Sequence, residues 1–182
     1  MMMNKALKSL PSVILCVIGA VSVWSCGSSD DQWSDYKEWR ETNQNWLAEQ
    51  EHSGKYTKVV PTWNKNLYVL MRWINDPETT KDNLTPMLTS QVAVKYKGTL
   101  YNGEPFDSTY AVLPDSTVNV TLSSVISGWP IAMEQIHVGD EVELLIPYEA
   151  AYGSSSVGKI PPYSALCFRL HLRDIPAYEI KP

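Results

Sequence analysis

The sequence predicts an α+β fold: a curved antiparallel β-sheet wrapped around one short α-helix, preceded by a helical extension. Three observations lead there. Apolar and polar side chains alternate in several runs between Leu67 and Leu172, the period-2 signature of half-buried strands. Among those runs one short stretch, opening at Pro130, reads as helix. Asn102-Gly103 is a strong hairpin signal and implies antiparallel neighbours. Strands grouped around a single helix, rather than strand and helix in strict alternation, argue against a doubly wound parallel sheet.

The elements follow in chain order. Lys5 and Lys8 precede Leu10 to Trp24, a run too short and too interrupted for a membrane span of about 20 apolar residues. A basic start, an apolar centre and small residues near Cys26 read as a secretory signal over residues 1–25. Val23-Trp24-Ser25-Cys26 resembles a bacterial lipobox, which makes Cys26 the lipidated first residue of the mature chain. Cys16 follows Leu15, a poor cleavage residue, and falls in the discarded core. This reading puts the folded part outside the cytoplasm, lipid-anchored to the bacterial outer membrane; an uncleaved N-terminal anchor would also leave it outside the cytoplasm and tethered. Gly27-Ser28-Ser29-Asp30-Asp31 resembles the Ser/acidic signals of some surface-displayed Bacteroidetes lipoproteins, and suits a flexible acidic tether as well. Periplasmic and outward orientations both stay open.

Residues 26–66 read as this tether plus an amphipathic helix. From Asp30 to Glu51, the residues Trp33, Tyr36, Trp39, Trp46 and Leu47 fall on one face at about 100° per residue. Asp30 and Asp31 suit its N-terminus and Gly54 its end. The face would suit packing on its own domain or pairing with a second copy as a homodimer; docking on a membrane surface fits poorly with so few Lys and Arg. Lys55 to Pro61 reads as a polar connector, Leu67 to Ile74 as a strand turned by Asn75-Asp76-Pro77, and Asp82 to Ser90 as a loop.

The main domain spans 67–176, with 177–182 as a tail. Val92, Val94 and Tyr96 alternate with Ala93, Lys95 and Lys97, and Thr99 to Phe106 doubles back. Val118, Val120 and Leu122 alternate again, and a helix runs from Pro130 to about His137, closed by Val138-Gly139-Asp140. Val142, Leu144 and Ile146 form another strand, and Leu166, Phe168, Leu170 and Leu172 the last, with Cys167, Arg169 and His171 on its opposite face.

Composition removes several functions. Lys plus Arg number 15 against 20 Asp plus Glu, a formal charge of −5 that falls to −7 without Lys5 and Lys8. Such a chain lacks the basic stripe that nucleic acid demands. After cleavage and lipidation only Cys167 stays free, so no intrachain disulfide forms. Gly153 to Lys159 matches the start of a phosphate-binding loop, but Ile160-Pro161-Pro162 replaces the required Ser or Thr and helix. His52, His137 and His171 have no ligand-like spacing, and no Gly-x-Ser-x-Gly elbow exists. Asp115-Ser116-Thr117 resembles an O-glycosylation site of some Bacteroidetes secreted proteins, though a polar turn accounts for it.

What remains is apolar and aromatic. Val125-Ile126-Ser127-Gly128-Trp129, Ala151-Tyr152-Gly153, Ile160-Pro161-Pro162, Tyr96 and Phe106-Asp107 fall in an order and spacing that resemble the FK506-binding protein (FKBP) family of peptidyl-prolyl cis-trans isomerases, over Leu67 to Pro176. The resemblance implies that fold, no cofactor and no metal. It implies Trp129 as a pocket floor, with Tyr96, Phe106, Val125, Ile126 and Phe168 as walls. The Ile126 N–H and the Tyr152 hydroxyl would bind substrate carbonyls, Asp107 would stand at the rim, and Ile160 would cap the opening. Val118 stands where many members have a pocket Phe, and Ser108 to Thr117 lacks the basic residue that relatives often place near the Asp.

The implied activity needs no acid, base or nucleophile. Rotation about an X-Pro amide faces a barrier of about 18–20 kcal/mol because twisting destroys resonance. The twisted state has less charge separation than the planar one, so a dry pocket disfavours the planar amide more. A thousandfold acceleration requires only about 4 kcal/mol. The expected partners are proline-containing polypeptides, exported proteins in the course of folding, and macrolide inhibitors of the family. The alternative is a catalytically weak module that grips Pro-containing segments. On either reading, removing Asp30 to Glu51 is expected to leave the site nearly intact.

Overall fold

In the computed structural model, which describes residues 29–111 and 116–177, seven strands form one antiparallel sheet. The signal segment, Cys26, the first tether residues Gly27 and Ser28, Asp115 and residues 178–182 lie outside the described residues. The strands are β1 (Thr57–Val59), β2 (Val69–Trp73), β3 (Gln91–Leu100), β4 (Pro105–Ser108), β5 (Val118–Thr121), β6 (Glu141–Ile146) and β7 (Leu166–Ala177). Their order is β1-β2-β6-β7-β3-β4, with β5 also paired to β3. The α+β class and antiparallel sheet are as expected.

Long β3 is the spine. One edge pairs with β7 along its whole length; the other takes β5 at Gln91–Val94 and then β4 at Lys97–Thr99. Consequently Tyr96, Phe106 and Phe168 converge from three adjacent strands. The Asn102-Gly103 turn closes the β3–β4 hairpin, with Gly103 N donating to Leu100 O at 2.9 Å.

The short helix α3 spans Gly128–Met133, two residues earlier at its start and four earlier at its end than expected. Pro130 sits at its third position, where a missing N–H still costs no intrahelical bond. All six residues are buried on the concave face among Val94, Leu144, Ile146, Leu170 and Leu172. Gly128 makes this possible: a Cβ there would come within 3.0 Å of three Ile146 side-chain atoms.

The N-terminal extension differs from expectation in two ways and meets it in a third. It is two helices, α1 (Ser29–Asp35) and α2 (Lys37–His52), because Tyr36 leaves helical geometry at φ −98° and ψ 17°. Its buried side chains are Arg40, Asn43 and Leu47, whereas Trp33 is 47% exposed. Its face is occupied by its own domain. Leu47 packs with Leu70, Leu145 and Ala165 on the convex side of the sheet. Asn43 Oδ1 accepts from Ala165 N at 2.9 Å, and Trp39 Nε1 donates to Ser164 Oγ at 3.1 Å. Of the two partners this face would suit, its own domain is the one seated on it here.

The polar connector also holds a strand. β1 pairs with β2 in register Thr57↔Met71 to Val59↔Val69. Thr57 and Val59 suit extended backbone, while the Tyr56 hydroxyl donates to Glu143 and Lys58 Nζ to Glu51 at 2.9 Å, fastening the segment to β6 and α2.

A buried carboxylate locks the far end. Asp140 is fully buried and accepts from Thr80 Oγ1 (2.5 Å), Asn75 Nδ2 (3.0 Å), His137 N (2.9 Å) and Trp73 Nε1 (3.4 Å). Burial would raise its pKa, but the His137 N–H and the Thr80, Asn75 and Trp73 donors outweigh it, leaving the carboxyl below its ordinary value. A depressed folded pKa means the contribution is complete above the unfolded pKa of about 3.9 and fades as pH falls through the folded value. Asp140→Ala should cost about 3 kcal/mol or more, because four donors lose a charged acceptor. In thermal melts the wild type should lose stability below about pH 4, and its advantage over Asp140→Asn should shrink there.

Candidate active site

Seven segments deliver the site. Tyr96 comes from β3, Phe106 and Asp107 from β4, and Val118 and Val120 from β5. Ser124, Val125 and Ile126 precede α3, which supplies Trp129; Tyr152 follows a turn after β6, and Phe168 stands on β7. Together these residues line one hollow of about 480 Å³. Nine of the ten pocket residues expected from the sequence are thereby brought together. The tenth, Ile160, is 4% exposed and packs in the same core cluster as Trp129 and Phe168, outside the residues that line this hollow. Its backbone forms an isolated bridge with Val157, which closes the short loop on itself. Val120 and Ser124 complete the lining. Their signals were present, since Val120 follows Val118 on the same side of β5 and Ser124 directly precedes Val125.

The floor and walls are an aromatic box. Trp129 meets Tyr96 at 5.2 Å between centroids and 76°, and Phe168 at 5.4 Å and 86°. Phe106 meets Phe168 at 5.5 Å and 82°. These edge-to-face arrangements place positive ring edges on negative faces and fix the orientation of each ring. Gly98 is needed here: a Cβ on it would stand 2.6 Å from the Phe106 ring and 2.9 Å from Phe168. Trp129 is 5% exposed, and its indole nitrogen is buried without a hydrogen-bond partner among the described residues. Such an orphan costs stability. An apolar side chain of similar size would avoid that cost, so the indole is not explained by folding alone.

Polar groups occur at the rim. Tyr96 Oη donates to Asp107 Oδ2 at 2.5 Å, and Ser108 N donates to Asp107 Oδ1 at 2.8 Å. The tyrosine hydroxyl thus takes the place of the basic partner that the 108–117 segment lacks. Burial first, and then the Asp107 carboxylate, push the Tyr96 hydroxyl far above its ordinary pKa. Burial and the same carboxylate raise that of Tyr152. Both phenols stay protonated donors at neutral pH.

Two donors are free for a ligand. Among the described residues neither the Ile126 N–H nor the Tyr152 hydroxyl has a protein hydrogen-bond acceptor. The site therefore offers an apolar hollow, fixed aromatic faces and two unspent N–H and O–H groups. It holds no Cys, Lys or His, and no group of three or more His, Cys, Asp or Glu among the described residues could hold a metal.

Comparison with known proteins agrees with this geometry. The family model described as FKBP-type peptidyl-prolyl cis-trans isomerase matches residues 83–173, half of the chain. Over 100 residues the sequence is 38% identical to the FKBP-type peptidyl-prolyl cis-trans isomerase FkpA of Escherichia coli strain K12, covering 53% of this chain and 36% of that protein. Over 91 residues it is 40% identical to the outer membrane protein MIP of Legionella longbeachae, covering 50% of this chain and 38% of that one. The chain thus spans little more than a third of the length of these two relatives. A crystal structure of a peptidyl-prolyl cis-trans isomerase from Pseudomonas syringae pv. tomato superposes with a TM-score of 0.64 over 76% of this chain and 94% of that one. At 24% identity, that likeness speaks for the fold alone.

Proposed function

The chain belongs to the FKBP-type peptidyl-prolyl cis-trans isomerase family, and from that premise we propose that it accelerates rotation about X-Pro bonds in the hollow above Trp129. The observation that carries this reading is the closed aromatic box under two unspent hydrogen-bond donors. The proline ring lies on the Trp129 indole between Tyr96, Phe106, Val125, Ile126 and Phe168. Ile126 N–H and Tyr152 Oη hold substrate carbonyls on either side of the twisting bond. Asp107 acts through Tyr96, fixing the phenol that forms one wall, and so orients the site rather than transferring a proton.

Catalysis then follows from solvation. Leaving water disfavours the more polar planar amide relative to the twisted one, and the two donors fix the peptide about the rotating bond. A thousandfold gain needs about 4 kcal/mol from all of these effects together. Because both phenols titrate well above neutrality, the rate of the bound step should vary little between pH 6 and pH 8 (roughly the window in which no unperturbed Tyr or carboxylate titrates).

The clients are exported polypeptides with slow X-Pro bonds, since the N-terminal residues read as a lipoprotein signal and one relative is named an outer membrane protein. A macrolide of the kind the family binds would compete for the same hollow. The test is cis–trans exchange of a Leu-Pro or Phe-Pro peptide, followed by a protease-coupled assay or by magnetisation exchange. Acceleration that saturates with peptide supports the proposal. Peptide binding with no acceleration would instead mark a module that only grips Pro-containing segments.

A further inference from the structure

We propose that α1 and α2 are a positioning element of the active site, acting through Tyr163 on the loop that carries Tyr152; this rests on the isomerase reading above. Tyr163 is the only non-glycine residue among those described with a left-handed backbone, at φ 59°. That conformation is unfavourable for a bulky side chain and persists only where its surroundings impose it. Here they do. Tyr163 N donates to Gly153 O at 2.8 Å, and Gly153 N donates to Tyr148 O at 2.9 Å, so residues on both sides of the turn are tied to one point. Tyr152 is the residue directly before.

The ring of Tyr163 is held by three others. Trp33 meets it edge-on at 5.4 Å, Tyr148 at 5.5 Å and Tyr36 at 6.4 Å. The Arg40 guanidinium lies 3.3 Å from the Trp33 centroid and 5.5 Å from that of Tyr163, while Nη1 donates to Trp33 O at 2.8 Å. Arg40 is 6% exposed, and the partners described for it are two ring faces and a carbonyl. A buried cation between aromatic faces is a cross-link between α1, α2 and Tyr163.

Covering the sheet does not require this cluster. Leu47, Leu70, Leu145 and Ala165 accomplish that elsewhere along α2. The Trp33–Arg40–Tyr163 stack instead fixes a loop whose Tyr152 hydroxyl has no hydrogen-bond partner among the described residues, so the loop sets its aim. Misplacing a binding group by about 1 Å can reduce a rate up to a hundredfold.

The test is a double-mutant cycle with a second, activity-independent readout. Trp33→Ala removes half of the stack at a side chain that is 47% exposed, so the fold is retained. It should lower kcat/KM about tenfold in the otherwise wild-type chain, with Trp33→Phe restoring most of the loss. In a Tyr152→Phe background, the same change should cost less than about twofold, because the hydroxyl it aims is already gone. Amide hydrogen exchange at residues 152–156 should become faster in Trp33→Ala. An equal loss in both backgrounds, no loss in the parent, or unchanged exchange would each overturn the proposal. A wild-type chain without isomerase activity would remove the activity reading, while the exchange experiment would still decide the positioning claim.

Discussion

Trp129→Ala should lower kcat/KM for a Leu-Pro peptide by about a hundredfold, which corresponds to about 2.7 kcal/mol of barrier. The indole meets both Tyr96 and Phe168, so its loss admits water beneath the proline and frees two walls at once. The planar amide then regains solvation that the pocket had withheld. Folding also suffers, because a 5%-exposed Trp cut to Ala leaves a cavity worth about 3–5 kcal/mol. Trp129→Leu separates the two effects. It keeps most of the apolar volume and removes the orphaned indole N–H, so its melting temperature should stay close to the parent's. Its turnover should still fall at least about tenfold, because the flat face is gone. Far-UV circular dichroism and thermal melts give the first quantity, and the peptide assay gives the second. Parent-like turnover in both variants would mean that the floor of the hollow does not act on the twisting bond.

The pocket was legible because its residues sit in short, spaced motifs whose side chains are required by the site's chemistry. Tyr96, Phe106, Asp107, Val125, Ile126, Trp129, Tyr152 and Phe168 line one hollow as expected. The strands were legible for a different reason: one buried face imposes period 2, as in Val142, Leu144 and Ile146. What escaped was whatever depends on a second buried face or on long-range partners. Val69-Leu70-Met71 and Leu144-Leu145-Ile146 are continuous apolar runs, the sign of burial on both sides of a strand. They mark where α2 lies. A hydrophobic wheel ranked Trp33 and Trp46 above Arg40 and Asn43, yet the latter two face inward with hydrogen bonds that no local pattern reveals. Asp140 follows Val138-Gly139 and looks locally like a turn residue, because its four donors come from positions between 73 and 137.

The docking of α2 leads to the second large effect. Deleting residues 29–52 should leave a chain that does not fold stably, contrary to what an appended helix would give. Leu47 alone fills a site for which Leu→Ala substitutions cost about 2–5 kcal/mol. Removing the helix also exposes Leu70 and Leu145, each at most 1% exposed in the intact fold, and leaves Ala165 N without the Asn43 acceptor. An unpaired buried N–H adds about 1–3 kcal/mol. Arg40, Trp39 and Trp46 contribute further contacts to Tyr163, Ser164 and Tyr101. The sum rivals the 5–15 kcal/mol total stability of a typical domain, so the truncated form should bind hydrophobic dyes or aggregate rather than melt cooperatively. Leu47→Ala gives a graded version of the experiment. It should lower the melting temperature by roughly 10 °C at about 2–3 kcal/mol, with kcat/KM at 25 °C little changed because the Trp33–Arg40–Tyr163 stack remains. Urea titration of both proteins would decide the matter: a truncated domain with a parent-like midpoint would mean that α2 merely rests on the sheet.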